Sequence, residues 1–402
     1  MAEAGTDNRR AGGAGGSYFG NKSPGVYLED KFGLPRRLEF YTGVPAFLGM
    51  PRALRASGTK AKPYTPIMLS LWSQIEYHVA KPTRDSYLTY AVRGFFENGG
   101  QRCYVVPLEN DTFQSLALGL KAIEPLNTID LVCVPDLVKD RASAFELQQI
   151  VVNHCENMGN RFAILDTRLG DHSDQVWDQW SRIDGRNGAI YYPWIQVRGF
   201  EGGIDTVPPS GHVAGVYART DQQRGVHKAP ANEVLEGVLG LERLLTTTDQ
   251  DYLNPKRVNC LRSFPGRGIR VWGARTLSGE TAWTYVNVRR LFLTAVRWIE
   301  WNMEDVVFEP NNPRLWARIE RELNTYFNEQ FRAGALKGRT PEEAFYVKCN
   351  AETNPPGSVD SGQVVTEIGL APTVPFEFVV VRLIHGAKGI AISGPTRPEN
   401  TF

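Results

Sequence analysis

Residues 260–277 read Cys-Leu-Arg-Ser-Phe-Pro-Gly-Arg-Gly-Ile-Arg-Val-Trp-Gly-Ala-Arg-Thr-Leu, and residues 285–292 read Tyr-Val-Asn-Val-Arg-Arg-Leu-Phe. The first run combines glycines, arginines and a tryptophan in a pattern typical of strand, and the second enters a helix. Because the pattern changes from strand to helix here, we predict a domain boundary near residues 265–275.

Two helices with apolar faces are predicted after this boundary. The first begins after Asn287, a suitable N-cap, and the second runs from Asn312-Pro313 to Gly334. Arg314, Arg318 and Arg321 share the opposite face of the second helix, either as a solvated stripe or as a contact surface. The apolar positions are Val288, Leu291, Phe292, Ala295 and Ile299 in the first helix and Leu315, Ile319, Leu323, Tyr326 and Phe327 in the second.

Three strands are predicted beyond these helices, at residues 344–349, 363–369 and 376–384. The last is apolar on nearly both faces, so we expect it to be sandwiched or covered from outside. A polar tail follows at 385–402.

The chain before the boundary alternates short apolar strands with helices. This pattern predicts a mostly parallel sheet that is covered on both faces. A long loop is predicted at 203–232, where proline and glycine are frequent, and a helix at 232–246. The predicted strands are 46–49, 104–106, 131–134, 162–165 and 189–192, and the helices lie near 84–97, 113–124, 142–158 and 173–183.

The first residues are poor in apolar side chains. Residues 1–23 are rich in Gly, Ala, Ser and Asn and cannot bury enough surface to order themselves alone. A short strand is predicted at 24–29. It either pairs with another sheet edge or is an ordinary first strand after a frayed terminus.

Bulk composition excludes several classes of protein. The 402 residues include 45 basic and 44 acidic side chains, and this balance argues against nucleic-acid binding and favours self-association. No run of about 18 apolar residues predicts a membrane span, and the N-terminus does not resemble a secretory signal.

The five cysteines are Cys103, Cys133, Cys155, Cys260 and Cys349. They are far apart, odd in number and form no CxxC pair, so neither a disulfide scaffold nor a zinc site is expected. We predict small buried core residues, as in a protein that assembles in a reducing cytoplasm.

Catalytic and cofactor motifs are missing from the sequence. It contains no GxxxxGK[ST], HExxH or GxSxG pattern, and Gly266-Arg267-Gly268 is followed by Val271 where a dinucleotide fingerprint needs glycine. The six histidines have no ligand spacing. His154 lies on the apolar stripe of a helix and is predicted to be a satisfied, partly buried histidine. No cofactor, metal site or catalytic residue is therefore assigned.

One hydrolase arrangement remains as an alternative. Asp136 and Asp166 each follow a predicted strand, and His172 and Ser210 come later, in the Asp, His, Ser order of subtilisin. No local signature of an activated nucleophile accompanies them. Capping aspartates and loop polar groups are the simpler interpretation.

Arginines cluster in the opening stretch. Arg262, Arg267, Arg270 and Arg275 are followed by Arg289-Arg290. Arginine is enriched at protein interfaces, so we favour a protein contact over internal pairing, and both over nucleic acid.

Many blocks of the chain, in order, resemble the contractile tail sheath proteins, which form the spring of phage tails and related injection machines. The resemblance covers residues 23–384. The blocks include 23–27 (Ser-Pro-Gly-Val-Tyr), 87–100 (Tyr-Leu-Thr-Tyr-Ala-Val-Arg-Gly-Phe-Phe-Glu-Asn-Gly-Gly), 207–211 (Val-Pro-Pro-Ser-Gly), 308–311 (Phe-Glu-Pro-Asn) and 341–345 (Pro-Glu-Glu-Ala-Phe), together with the opening stretch.

The resemblance implies a two-part subunit. An outer α/β domain at 31–268, a mostly parallel sheet flanked by helices, is called subtilisin-like in the family without implying proteolysis. An inner α+β domain is built from the N-terminal arm at 1–30 and residues 269–384, with a C-terminal arm at 385–402.

The resemblance also implies a structural, non-enzymatic function. Subunits stack as rings, usually sixfold, around an inner tube, with baseplate and terminal cap proteins as further partners. Contraction drives the tube through a target envelope, without nucleic acid, cofactor or membrane insertion. Assembly in the bacterial cytoplasm, as part of a phage tail or an injection particle, follows from the same likeness.

Two sets of contact residues are implied as well. Terminal strands of one subunit join the sheet of its neighbours, and the 313–333 helix faces the tube through Arg314, Arg318 and Arg321. The alternatives are the hydrolase described above and another tube or baseplate component, whose lack of an outer domain argues against it. The strand-exchange residues are Val26, Tyr27, Leu28, Phe376, Phe378, Val380 and Arg382.

Overall fold

The computed structural model describes residues 40–50, 61–79, 81–138 and 143–373, and the backbone alone of 379–386 and 389–393. The predicted exchange residues Val26, Tyr27, Leu28, Phe376 and Phe378 lie outside this part of the chain. Within the described residues, no helix is both long and apolar enough to span a bilayer.

Nine of the described strands form one large sheet, in which the parallel strands are central. The six parallel strands are β1 (Pro45–Gly49), β3 (Cys103–Pro107), β4 (Leu131–Cys133), β5 (Phe162–Asp166), β6 (Gly188–Tyr192) and β11 (Val258–Phe264). Antiparallel strands flank them: β2 (Ile67–Leu69) beside β3, and then β12 (Gly268–Trp272) and β9 (Glu233–Val234) beyond β11.

Helices cover both faces of this sheet. Alternate residues of one strand face opposite sides: Phe162 and Ile164 enter one apolar core, and Ala163 and Leu165 enter the other. The predicted doubly covered parallel sheet is confirmed. The helices are α1 (Gln74–His78), α2 (Tyr87–Glu97), α3 (Phe113–Ile123), α4 (Ala144–Met158), α5 (Ser173–Ser181), α6 (Ser210–Arg224) and α7 (Thr247–Leu253).

The long loop predicted at 203–232 is wrong. This segment contains strand β8 (Ile204–Val207) and the buried helix α6. Gly211 is in α6 because the helix lies directly against α2: a Cβ at Gly211 would be 2.2 Å from the Cα of Ala91. Glycine here permits close helix packing and does not mark a turn.

The helix predicted at 232–246 is also wrong. Asn232 and Gly237 have φ values of 61° and 76°, which a right-handed helix cannot contain. The segment forms β9 and then β10 (Val238–Leu241), which pairs with β7 (Ile195–Arg198). With β8 on the other side of β7, these strands make a small sheet of order β10-β7-β8.

The last third has its own apolar core beneath a four-stranded antiparallel sheet, whose strands lie side by side in chain order. Its helices are α8 (Val286–Asn302), α9 (Pro313–Arg332), α10 (Pro341–Ala344) and α11 (Pro356–Asp360), and its strands are β13 (Phe345–Lys348), β14 (Val364–Leu370), β15 (Val379–Gly386) and β16 (Gly389–Ser393). The expectation that the predicted strand at 376–384 is covered on both faces remains a prediction.

Of the two predicted N-caps, Asn312 is confirmed and Asn287 is wrong. Asn312 caps α9 as expected, since its Oδ1 accepts hydrogen bonds from the N–H groups of Arg314 and Leu315. Gly334 follows the end of α9 with φ 80°. The N-cap role of Asn287 is wrong, because α8 already begins at Val286.

Candidate inter-subunit surfaces

Helix α8 joins the last third of the chain to the large sheet through buried charges. Its Arg290 donates to both carboxylate oxygens of Asp221 in α6, at 2.9 and 2.6 Å, and lies 3.1 Å from Asp130. The Arg290 side chain is 3% exposed and that of Asp221 1%. Two carboxylates thus surround one guanidinium in the interior, which is the compensation that a buried charge requires.

Two further arginines of α8 also donate hydrogen bonds inside the subunit. Arg297 donates to the backbone oxygens of Tyr41, Asn127 and Thr128. Arg289 donates to Asn187 Oδ1 at 2.6 Å. The inter-subunit interpretation is therefore wrong for Arg289 and Arg290, which face the interior.

The arginines of the β11–β12 hairpin have no such carboxylate partners among the described residues. Arg262 donates to Gln250 Oε1, and Arg270 donates to the backbone oxygens of Arg267 and Asn232. The side chain of Arg267 is exposed, and within the described residues it donates to Asn232 Oδ1 at 3.3 Å. Because these acceptors are neutral, no carboxylate of the described residues pairs with the guanidinium groups of the hairpin.

The three arginines predicted to face a tube are not equivalent on α9. Arg318 forms ion pairs with Glu322 and Asp305 in the same subunit. Arg314 and Arg321 are exposed and have no ion pair within the described part of the chain. All three line one open groove with Glu309, so the stripe exists as a surface, and its two end residues are available to a partner.

The predicted C-terminal exchange segment is partly described. Val380 and Arg382 lie in β15, where they pair with Gly369 and Glu367 of β14. Arg382 also pairs with Ser393 of β16. In this structure β15 is therefore an interior strand of its own sheet, with backbone partners on both sides.

Ser210, the nucleophile of the hydrolase alternative, is not accessible to solvent. Ser210 is fully buried, and its N–H donates to Asp166 Oδ1 at 2.8 Å. Burial raises the pKa of Asp166 to about 7, although its hydrogen bonds with Ser210 oppose the rise. His172 is exposed at the start of α5. The carboxylate thus holds the start of α6, as expected of a capping aspartate.

The other predictions about polar and sulfur-containing residues agree with the structure. Asp136 accepts hydrogen bonds from the N–H groups of Met50 and Tyr87. His154 lies 3.3 Å from Arg161, and burial lowers its pKa to about 4. All five cysteines are buried and free, which confirms them as core residues.

An exposed apolar loop between α8 and α9 was missed from the sequence. Val307 is 56% exposed, and Phe308 is fully exposed at 101%. Phe308 also has φ 72°, a conformation that costs energy for an aromatic residue. No sequence pattern marks this feature, because an isolated Val-Phe pair also suits a core position.

Comparison with family models gives two adjoining matches. Residues 112–277 match the phage tail sheath protein central domain, and residues 278–384 match the phage tail sheath C-terminal domain. Together these segments cover most of the chain that the structure describes.

Solved structures and a sequence relative agree with these models. The chain is 30% identical to a chain of the anti-feeding prophage helical sheath in its contracted state, with TM-score 0.71, covering 89% of this chain and 98% of that one. It is 27% identical to a chain of an extracellular contractile injection system, the PVC sheath complex in contracted state, with TM-score 0.70 and coverages of 88% and 95%. The tail sheath protein of Vibrio phage KVP40 is 28% identical over 183 residues, which span 44% of this chain but only 26% of that protein.

Proposed function

This chain belongs to the phage tail sheath protein family, and we propose that it is the structural subunit of a contractile sheath. Copies stack as sixfold rings around an inner tube, and contraction drives the tube through a target envelope. The main support for this proposal is the similarity to chains of contracted sheaths over nearly their whole length. The sheath is part of a phage tail or of a contractile injection particle.

The subunit has two working parts in this proposal. Residues 31–268 form the outer domain around the large sheet, to which β12 adds residues up to Trp272. Residues 1–30 and 269–384 form the inner domain, with a C-terminal arm at 385–402. The buried Arg290–Asp221 pair supports force transfer between the parts, because it ties α8 to α6.

Strand exchange links the subunits. Two segments of one copy add backbone hydrogen bonds to the sheets of neighbouring copies. They are Val26, Tyr27 and Leu28 near the N-terminus, and the segment that contains Phe376, Phe378, Val380 and Arg382. Since β15 already has partners on both sides within the chain, an incoming strand is expected at the outer edge of β16 or β13. Such links persist while the subunits rotate, because they join chain ends rather than rigid surfaces.

Contraction needs no nucleotide in this mechanism. The extended sheath is kinetically trapped, and its release lets the outer domains bury more surface against one another. Burial of apolar surface contributes about 25 cal/mol of free energy for each Å². A small buried patch on each of many subunits therefore supplies the work of contraction. Arg314, Arg318 and Arg321 of α9 face the tube, and baseplate and terminal cap proteins bind the two ends of the cylinder. Assembly takes place in the bacterial cytoplasm.

Negative-stain microscopy of the purified protein tests the proposal. Hollow striated cylinders are expected from the full chain, and a chain trimmed of residues 1–29 and 385–402 should form none. Monodisperse monomers of the full chain at high concentration would contradict the sheath assignment. Normal polymerisation and shortening of the trimmed chain would contradict strand exchange. Hydrolytic activity that is lost in Ser210→Ala would favour the enzyme alternative.

A further inference from the structure

We propose that the β11–β12 hairpin of one copy binds the Glu304–Glu309 loop of a second copy of this chain. The inference rests on the proposed function, since it names one contact inside the polymer. One surface is cationic and aromatic, and the other is acidic and carries the exposed Phe308.

The strand register defines the hairpin surface. Arg262 pairs with Arg270 across β11 and β12, and Phe264 and Trp272 lie on the same side, with ring centroids 4.6 Å apart. The other side of the hairpin carries Leu261, Ile269 and Val271, all buried in the core. The arginine–aromatic side is half-buried, with Arg262 bonded to Gln250 of α7, and it reaches solvent most fully at Arg267; we call it the arginine face.

Charge on the arginine face is available to a partner. The guanidinium groups of Arg262 and Arg267 lie 5.4 and 5.8 Å from the centroid of the Phe264 ring. In the described residues, Arg262, Arg267 and Arg270 form no ion pair, and their hydrogen bonds go to amide and carbonyl oxygens. Arginines beside aromatic rings are frequent anchors of protein interfaces, because they pair with carboxylates and stack on rings.

The loop has the opposite chemistry. Glu304 and Glu309 are exposed and form no ion pair within the described residues, whereas Asp305 is taken by Arg318. Phe308 points fully into solvent from a strained backbone. Strain that exposes an aromatic side chain is costly for an isolated subunit, and a contact that buries the ring offsets that cost. Glu309 lies in the same groove as Arg314 and Arg321, so a substitution there would also change the charge of that groove. Glu304 is therefore the residue to exchange in the test.

The hairpin belongs to the large sheet and the loop connects α8 to α9, and no described contact joins the two surfaces. Binding of the hairpin to the loop therefore joins two different copies of the chain. Because it joins two different surfaces, it is heterologous, and a heterologous contact that does not close produces an open helical polymer. A sheath built from stacked rings needs such contacts.

Charge exchange tests the contact. Arg267→Glu and Glu304→Arg should each raise the protein concentration needed for polymerisation by about tenfold or more, and the double variant should restore it. Lys121→Glu, an exposed charge change on α3, is the matched control and should polymerise normally. Thermal melting of each variant identifies loss by misfolding. Two results would overturn the inference: folded single variants that polymerise like the wild type, or a double variant that shows no recovery. Neither result affects the proposed function, because the wild type still forms cylinders.

Cysteine cross-linking gives a second measurement. All five native cysteines are buried, so cysteines placed at positions 267 and 308 are the reactive pair. With copper phenanthroline as oxidant, polymers of Arg267→Cys/Phe308→Cys should form ladders of covalent oligomers. The control Arg267→Cys/Leu239→Cys, which uses a side chain 61% exposed on β10, should not. Cylinders without a ladder overturn this contact alone, whereas a wild type that never polymerises overturns the proposed function as well.

Discussion

Arg290 in α8 and Asp221 in α6, 69 residues apart in the chain, form a two-point ion pair in the interior of the subunit. Asp130, at the start of β4, is the second carboxylate at the same guanidinium and also accepts the N–H groups of Gly43 and Val44. One arginine therefore connects the last third of the chain to a helix and to a strand end of the large sheet. Loss of this arginine is expected to loosen both.

Arg290→Met should destabilise the subunit by about 3–5 kcal/mol, because it leaves the buried Asp221 without its cation and leaves only Arg297 beside Asp130 among the described residues. Urea unfolding of dilute protein, followed by the fluorescence of its nine tryptophans, measures the change. Arg182→Met is the control. Arg182 pairs with Asp178 on the surface of α5, so its loss should cost under about 1 kcal/mol. Equal losses in the two variants would contradict the structural role assigned to Arg290.

The sequence predicts the large sheet well because its local patterns are consistent. Strands such as Phe162–Asp166 are short apolar runs between amphipathic helices, and parallel strands buried on both faces have this composition. The cap of α9 was also predictable, because Asn312 acts on N–H groups only two and three residues away. Local chemistry of this kind depends little on the rest of the fold.

Features that depend on distant contacts were not predictable. Helix α6 looked like a loop, because two prolines precede it and its glycines, Gly211 and Gly215, are explained only by the adjacent α2. Arg289 and Arg290 looked like surface residues, because their partners Asn187 and Asp221 are remote in sequence. The exposure of Phe308 is set by backbone conformation, which a single sequence does not reveal.

Asp166 should make the subunit less stable as the pH rises from about 4 to about 7. In the folded state burial raises its pKa to about 7, whereas an unfolded aspartate titrates near its ordinary value of about 4. Between these values the folded state holds a proton that the unfolded state has released, so stability falls as the pH increases.

Asp166→Asn removes this titration. Its melting temperature should change less than that of the wild type between pH 5 and pH 8, and it should melt higher than the wild type at pH 8. Ser210→Ala keeps the carboxyl group, so its stability should still fall over the same range. Parallel profiles for Asp166→Asn and the wild type would rule out Asp166 as the source of the pH dependence.

The two exposed arginines of α9 should govern contact with a negatively charged tube. Arg314→Glu/Arg321→Glu should lower the fraction of sheath that co-sediments with its tube by about tenfold, and salt should weaken the wild-type contact because exposed charges are screened. Arg318→Gln should have a smaller effect on binding, since Arg318 is already paired with Asp305 and Glu322. Lys62→Glu, on the surface of the large sheet region, is the control. Contact that is unchanged across a salt titration would remove α9 from this role.

Gly211→Ala tests whether close packing of α6 on α2 decides the identity of that residue. Helix propensity alone predicts that alanine stabilises a helix by about 1 kcal/mol relative to glycine. The new Cβ, however, would lie 2.2 Å from the Cα and 2.3 Å from the carbonyl oxygen of Ala91. These are backbone atoms that no rotamer change can move, so the helices must separate, at a net cost of about 1–3 kcal/mol.

Gly357→Ala is the matched control, since Gly357 also lies in a helix, α11, and a Cβ there would meet nothing within 4 Å. It should be neutral or stabilising by up to about 1 kcal/mol. Thermal melting of the two variants against the wild type gives the comparison directly. A stabilising Gly211→Ala would mean that propensity and not packing sets that position, and that α6 does not lie as close to α2 as the structure places it.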